Sequence, residues 1–456
     1  MEIPPLKDAK LPIEPIKQRR LSDSRRSRYS FASPPDEFVY EPGLSMLDNR
    51  DEKDIISKEN INHVLYSDNI NTLKQFNFEI RSLLEKHPTI LDEISKDQEI
   101  VDDCIKAISL VTTGDGVETY CKCIYPFFKR NTVGFIDGGL LFNLRERLSV
   151  FPFRILDFIE VIPVLSGYAR DAMISLGIID DIIDYFLASN SPTEQVACAK
   201  VLMAQFTIPD PFQVEQIKPL IPKIVSMLSC ENIEALNLVY QTLSEINGRH
   251  QLFTADFLDL GVHEYLSKHI DDPKLVASCF TLAGNMSICE PEDIKKMVDC
   301  GLIDKYMKMT DEHPIDTNWC LSNCFESSPK ELFPILKDFI PKQIKKNTPQ
   351  TTGFVATVLL FATSINLPLV LQEGGLQNVL SRCDSTDNDL VAKCLDAIAR
   401  ILILSHTKPA IGELVKGIII MPEYVAKINI TKEHSTDLLV KEVATQIIDH
   451  ISNIKQ

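Results

Sequence analysis

Residues 177–206 read GIIDDIIDYFLASNSPTEQVACAKVLMAQF. After Gly177 the apolar residues Ile178, Ile179, Ile182, Ile183 and Phe186 recur with helical spacing, which predicts a helix over Ile178–Ala188. The polar run Ser189-Asn190-Ser191-Pro192 then predicts a turn, and a second, longer amphipathic helix follows over Glu194–Phe206. A glycine at the head of such a unit suits a sharp helix-to-helix turn, where φ is positive or backbones approach closely.

The same punctuation recurs along the chain. It is seen at Gly139-Leu-Leu-Phe, Gly177-Ile-Ile, Pro219-Leu-Ile-Pro-Lys-Ile and Gly261-Val-His-Glu-Tyr-Leu. It continues at Gly301-Leu-Ile-Asp-Lys-Tyr, Phe339-Ile-Pro-Lys-Gln-Ile, Gly375-Leu-Gln-Asn-Val-Leu and Gly417-Ile-Ile-Ile. The intervals are 38, 42, 42, 40, 38, 36 and 42 residues. A period near forty with helical content throughout, and no useful length of strand alternation, indicates a helical solenoid. A short helix followed by two longer ones is the armadillo pattern rather than the two-helix HEAT pattern. The expected fold is therefore all-α, an armadillo-repeat right-handed α-solenoid preceded by a disordered N-terminal segment. Before the first anchor, Ile55–Leu84 and Ile100–Phe128 carry helical periodicity, with a turn at Thr112–Gly116. At the far end, Asp437–Ile454 reads as an amphipathic capping helix.

Charge divides the chain in two. The whole of 456 residues carries a net charge of −17, yet residues 1–31 hold eight basic and four acidic residues. A +4 head thus precedes a −21 remainder. The head is rich in Pro, Ser and Arg and poor in core-forming residues, so disorder is expected over residues 1–50 and the solenoid over 51–456. Its Arg19-Arg20-Leu21-Ser22 and Arg25-Arg26-Ser27 runs have the form of sites for a basic-directed kinase. An acidic body argues against non-specific nucleic-acid binding and favours a basic partner. The head could be that partner. No run approaches the roughly 20 apolar residues of a membrane span, and the N-terminus lacks the apolar run of a signal peptide. The twelve cysteines sit mostly in apolar helical runs, as small core residues do in a reducing compartment. Cys121/Cys123 and Cys320/Cys324 are close pairs without the histidines of a zinc set, so neither metal nor cofactor is expected. The nine histidines are scattered, and there is no phosphate-binding loop or HExxH. An enzyme is not expected.

The single tryptophan stands in Asn318-Trp319-Cys320-Leu321-Ser322-Asn323. Asp316, Trp319 and Asn323 fall at i−3, i and i+4 and share one helical face, with Leu321 and Cys324 left for the core. Asn285, in Leu282-Ala283-Gly284-Asn285, holds the corresponding place in the preceding repeat. An asparagine amide can hold an extended peptide's backbone by both donor and acceptor. An indole packs the stem and charge of a basic side chain at about 0.5–2 kcal/mol, and Asp316 would take the terminal charge.

Trp-x-x-Ser-Asn on a third helix resembles the importin-α (karyopherin-α) family of nuclear import adaptors. Similar likenesses run in order along the chain. Tyr168–Asp181 looks like the junction leading to that family's fourth repeat, and Phe212–Val225 like the entry to its fifth. Cys394-Leu-Asp-Ala-Ile-Ala-Arg-Ile-Leu is similar to its last repeat helix before the cap. The resemblance covers about residues 50–456. It implies a groove binding Lys/Arg-rich nuclear localisation signals at Asn285, Asp316, Trp319 and Asn323. It also implies a head, carrying Lys17, Arg19, Arg20, Arg25, Arg26 and Arg28, that binds importin-β or folds back onto the groove. Such a protein would work in cytoplasm and nucleus. At the positions matching the family's larger site stand Asp157 and Val161, then Val201 and Gln205, with no tryptophan. That site is expected to be degraded or rebuilt. The alternative reading is an armadillo-repeat interaction scaffold without a transport role.

Overall fold

The computed structural model describes residues 52–454 apart from Asp68 and Pro209. The basic head, with Lys17, Arg19, Arg20, Arg25, Arg26 and Arg28, lies outside the described residues. Among the described residues every regular element is a helix. They fall into two compact units, divided between Phe253 and Thr254.

Why these residues form helices is clearest in the stretch that opens the reading. Gly177 has φ +72°, a left-handed conformation strained for any L side chain, and leads directly into helix Ile178–Ala188. That helix buries Ile178, Ile179, Ile182, Ile183 and Phe186, the stripe expected from their spacing. Pro192 sits at the first position of helix Pro192–Thr207, where its missing N–H costs nothing. Helix Gly167–Ser175 precedes them and completes a three-helix repeat.

In the first unit the pattern repeats as Thr132–Asp137, Leu140–Val150 and Leu156–Leu165, and ends with Ile233–Arg249. Earlier come Lys58–Leu65 with Ile70–Lys86, and Gln98–Leu110 with Gly114–Arg130. The expected turn at 112–116 is shorter than read. Thr113 accepts a hydrogen bond from the Gly116 amide at 3.2 Å, and Gly114 already begins the helix. In the second unit, Pro291–Asp299, Leu302–Met309 and Pro314–Ser327 form one repeat, with Gly301 at φ +78° between the first two. Pro329–Leu336, Ile340–Lys346 and Pro349–Phe361 form the next. Leu367–Gln372, Gly375–Leu380 and Asn388–Thr407 follow, before the terminal helices Pro409–Ile419, Pro422–His434 and Leu438–Ile454.

Two anchors differ from the sequence reading. The left-handed residue is Gly374 (φ +91°) rather than Gly375, whose Cβ would instead meet the Val370 carbonyl oxygen at 2.9 Å. Gly417 lies inside helix Pro409–Ile419, and the last junction is made at Met421-Pro422.

Within each unit the third helix of one repeat packs on that of the next: Leu156–Leu165 on Pro192–Thr207 and then Ile233–Arg249, and Pro314–Ser327 on Pro349–Phe361 and then Asn388–Thr407. Hydrogen bonds join neighbours about one repeat apart in sequence. Arg147 donates to the Val111 carbonyl, 36 residues away, at 3.0 Å, and Asn232 to Pro192, 40 away, at 2.8 Å. Arg400 donates to Ala362, 38 away, at 2.7 Å. The Val111 and Ala362 carbonyls stand at C-terminal helix ends, where they have no partner within their own helix. Arg170, fully buried, is the strongest case. It donates to the carbonyls of Asp210 at 2.6 Å and Pro211 at 2.8 Å and pairs with Asp171 at 2.8 Å. It thereby fixes the loop after helix Pro192–Thr207.

Candidate functional site

The sector left open by packing is the candidate site. On helix Pro314–Ser327 the side chains of Thr317, Asn318, Cys320, Leu321, Cys324 and Phe325 are buried. Asp316, Trp319 and Asn323 are half-buried on the remaining side. Asp316 also stands in the first helical turn, where the helix dipole favours a carboxylate. Leu321 and Cys324 serve the core, as their spacing implies.

Gly284 on helix Val276–Met286 explains how the indole sits. A Cβ there would fall 1.9 Å from Trp319 Cζ3 and 2.3 Å from Cη2, so the six-membered ring lies directly against the Gly284 Cα. Glycine inside a helix costs about 0.5–1 kcal/mol relative to alanine, and here it opens the space that the ring occupies. Asn323 Nδ2 donates to the Gly284 carbonyl oxygen at 3.0 Å. Ser327 Oγ donates to the Ser287 carbonyl oxygen at 3.2 Å. The side chains of Trp319 and Asn323 therefore lean back onto the preceding repeat and lock the two helices in register.

Asn285 is half-buried on the helix that carries Gly284, so all four predicted residues lie on two packed neighbouring helices of one unit. The sequence reading gave Asn323 both a donor and an acceptor for a peptide backbone. The structure places its amide nitrogen on Gly284, and this inter-repeat role was missed. The following helix, Pro349–Phe361, offers Gly353 at a half-exposed place, where an added Cβ would meet only Leu390 Cδ1 at 3.8 Å. Behind the face the thiols are inert. Burial pushes the Cys324 thiol up to about 12 and Cys320 well above its ordinary value.

Of the four matching positions of the first unit, only Asp157 is exposed. Val161, Val201 and Gln205 are buried, and Gln205 Nε2 donates to the Val201 carbonyl at 3.3 Å. Among the residues that open outward are Asp157, Glu160 and Val164 on one helix, and Thr193, Ala197 and Lys200 on the next. Burial raises the Glu160 carboxyl above its ordinary range, opposed by Lys200 and assisted by Asp157. No aromatic residue stands among these six.

Among the described residues, no three His, Cys, Asp or Glu side chains gather as a metal site, and no helix is long and apolar enough to cross a membrane. The arrangement presents half-buried aromatic and amide groups on a helix face.

No family model matches the chain, and no curated protein matches it. Among solved structures, a crystal structure of an engineered protein from the Northeast Structural Genomics Consortium is 17% identical, with a TM-score of 0.65. That match covers 87% of this chain and 99% of the other. A designed armadillo-repeat protein in complex with the peptide (KR)4 is 13% identical over 59% of this chain and 98% of its own, with a TM-score of 0.36. The class is set by the fold: all-α, with armadillo-like three-helix repeats stacked within each unit.

Proposed function

We propose that the chain is a non-enzymatic protein-interaction scaffold whose second unit holds an extended basic peptide across Asn285, Asp316, Trp319 and Asn323. The observation that supports this most is the Trp319 ring seated on Gly284 beside Asp316. It offers a flat half-buried surface for a Lys or Arg stem and a carboxylate on the same helix face. The acidic balance of the chain outside the head favours the same class of partner.

The finer form of the proposal is a nuclear import adaptor working between cytoplasm and nucleus. Its cargo would carry Lys/Arg-rich localisation signals, and its N-terminal segment would engage importin-β. The Trp-x-x-Ser-Asn run and its flanking likenesses motivate this form. Anisotropy of a labelled basic signal peptide tests the site. Binding should weaken with added salt and fall at least tenfold in Trp319→Ala; equal affinity for the two proteins sinks the groove assignment. Retention on immobilised importin-β, lost on removing residues 1–35, supports the adaptor. No retention in either form leaves the scaffold reading.

A further inference from the structure

The last repeat is closed by the terminal helix Leu438–Ile454, which packs on helices Asn388–Thr407 and Pro422–His434. Val440, Val443, Ala444, Ile447 and Ile451 supply its buried stripe. Two histidines meet across the seam with Asn388–Thr407. His406 is exposed in the last turn of that helix, and His450 is half-buried on the terminal one. Their Nε2 atoms lie 2.6 Å apart, with the rings edge to face at 86°. Such a bond needs one Nε2–H and one Nε2 lone pair, so it survives until both rings are charged. The surroundings do little to offset a second charge. Helices Pro349–Phe361 and Gly375–Leu380, which also pack on Asn388–Thr407, carry no charged residue. Glu413 and Lys416 of helix Pro409–Ile419, and Lys408 before it, are exposed. Helix Pro422–His434 carries Glu423, Lys427, Lys432, Glu433 and His434, of which Lys427 pairs with Asp384 and Glu433 lies 3.9 Å from His434. On the two helices themselves, Arg400 donates to the Ala362 carbonyl, Asp449 is exposed beside His450, and Lys441 and Glu442 stand two turns or more away.

We propose that the His406–His450 pair is a pH-sensitive latch, which holds helix Leu438–Ile454 against Asn388–Thr407 near neutral pH and releases it when both rings are protonated. The first proton goes to His406, which is open to water at a helix C-terminus, where the dipole favours a cation. The pair is then joined by a charge-assisted bond to the His450 lone pair. A second proton removes that acceptor and sets two like charges across the same gap. Burial and the neighbouring His406 hold the His450 imidazolium below its ordinary value, so the folded state gives up this proton more readily than the unfolded one. The contribution of the latch is therefore whole above the ordinary histidine value and is lost as pH falls through the lowered one. Release begins at the end element of a stack, where opening disturbs the fewest neighbours. It uncovers the apolar stripe of the terminal helix and the side of Asn388–Thr407 beneath it.

Hydrogen exchange of the full chain, read by mass spectrometry and corrected for the intrinsic pH dependence of exchange, tests this between about pH 7.5 and about pH 5, the range in which histidine titrates. Peptides from Leu438–Ile454 should lose protection several-fold at the lower pH, while those from Ile178–Ala188 keep theirs. His406→Gln and His450→Gln each remove one charge and leave an amide oxygen that accepts from the remaining ring. Both variants, confirmed folded by circular dichroism at neutral pH, should flatten the loss. Should His450→Gln fail to fold, the exposed His406→Gln decides. The proposal is overturned if protection of the terminal helix does not change with pH, or if the folded variants lose as much of it as the unaltered chain.

Discussion

The two units use one construction and expose different chemistry. In residues 52–253 the open side offers Asp157, Glu160 and Lys200. In residues 254–454 it offers Asp316, Trp319 and Asn323. The buried stripes and the arginine or asparagine donors to neighbouring carbonyls recur in both. In the first unit what holds a repeat to its neighbour is largely separate from what faces outward, whereas in the second Trp319 and Asn323 belong to both.

Removing a repeat-holding residue should have the largest effect. Arg170→Ala empties a fully buried site and removes the hydrogen bonds to the carbonyls of Asp210 and Pro211, and loss of about 2–5 kcal/mol is expected in urea denaturation followed by circular dichroism. Gly284→Ala should come next. Its Cβ forces the indole off its seat, costing about 1–3 kcal/mol. Because Trp319 is the sole tryptophan, a red shift of emission reports the displacement directly, and basic-peptide affinity should drop with it. An unshifted spectrum would show that the ring has another seat.

Asn323→Ala removes one neutral inter-repeat bond, and about 0.5–1.5 kcal/mol should be lost. Lys427→Ala, which breaks a surface pair with Asp384 at 2.7 Å, should cost no more than about 1 kcal/mol. The smallest effect belongs to Glu160. Its folded carboxyl is raised, so the folded state holds its proton more tightly than the unfolded one. Stability is then lost as pH rises from the ordinary glutamate value through the raised one, and the penalty persists above it. Glu160→Gln should flatten that part of the pH–stability curve and leave the rest unchanged.

Much of the fold is legible because burial writes itself into spacing. Ile178–Ala188 has the predicted bounds, and the expected Asp437–Ile454 helix begins one residue later, at Leu438, after the Asp437 cap. The misses have local causes. Gly374 and Gly375 are adjacent, and only φ tells which one turns the chain. Gly417 precedes an apolar run as a junction would, yet Pro422 supplies the real stop. At the site, Trp319 is legible because tryptophan is used once. Its support on Gly284 is not, since that contact joins residues 35 apart through two helices. Val161, Val201 and Gln205 match the motif's spacing without facing outward. A third helix is packed on two sides, so a shift of one position turns a side chain inward, and Gln205 hides this by carrying a polar group into the interior.

The bonds between repeats have a further consequence for how the chain reaches its structure. Those that tie Arg147 to Val111, Asn323 to Gly284 and Arg400 to Ala362 span 36 to 39 residues. Among the described residues these bonds join neighbouring repeats, so contact order stays low for the length, and folding can nucleate in any pair of repeats and spread to its neighbours. Stability then accumulates by nearest-neighbour terms, and whole repeats can be gained or lost across evolution while the rules that join the remainder persist.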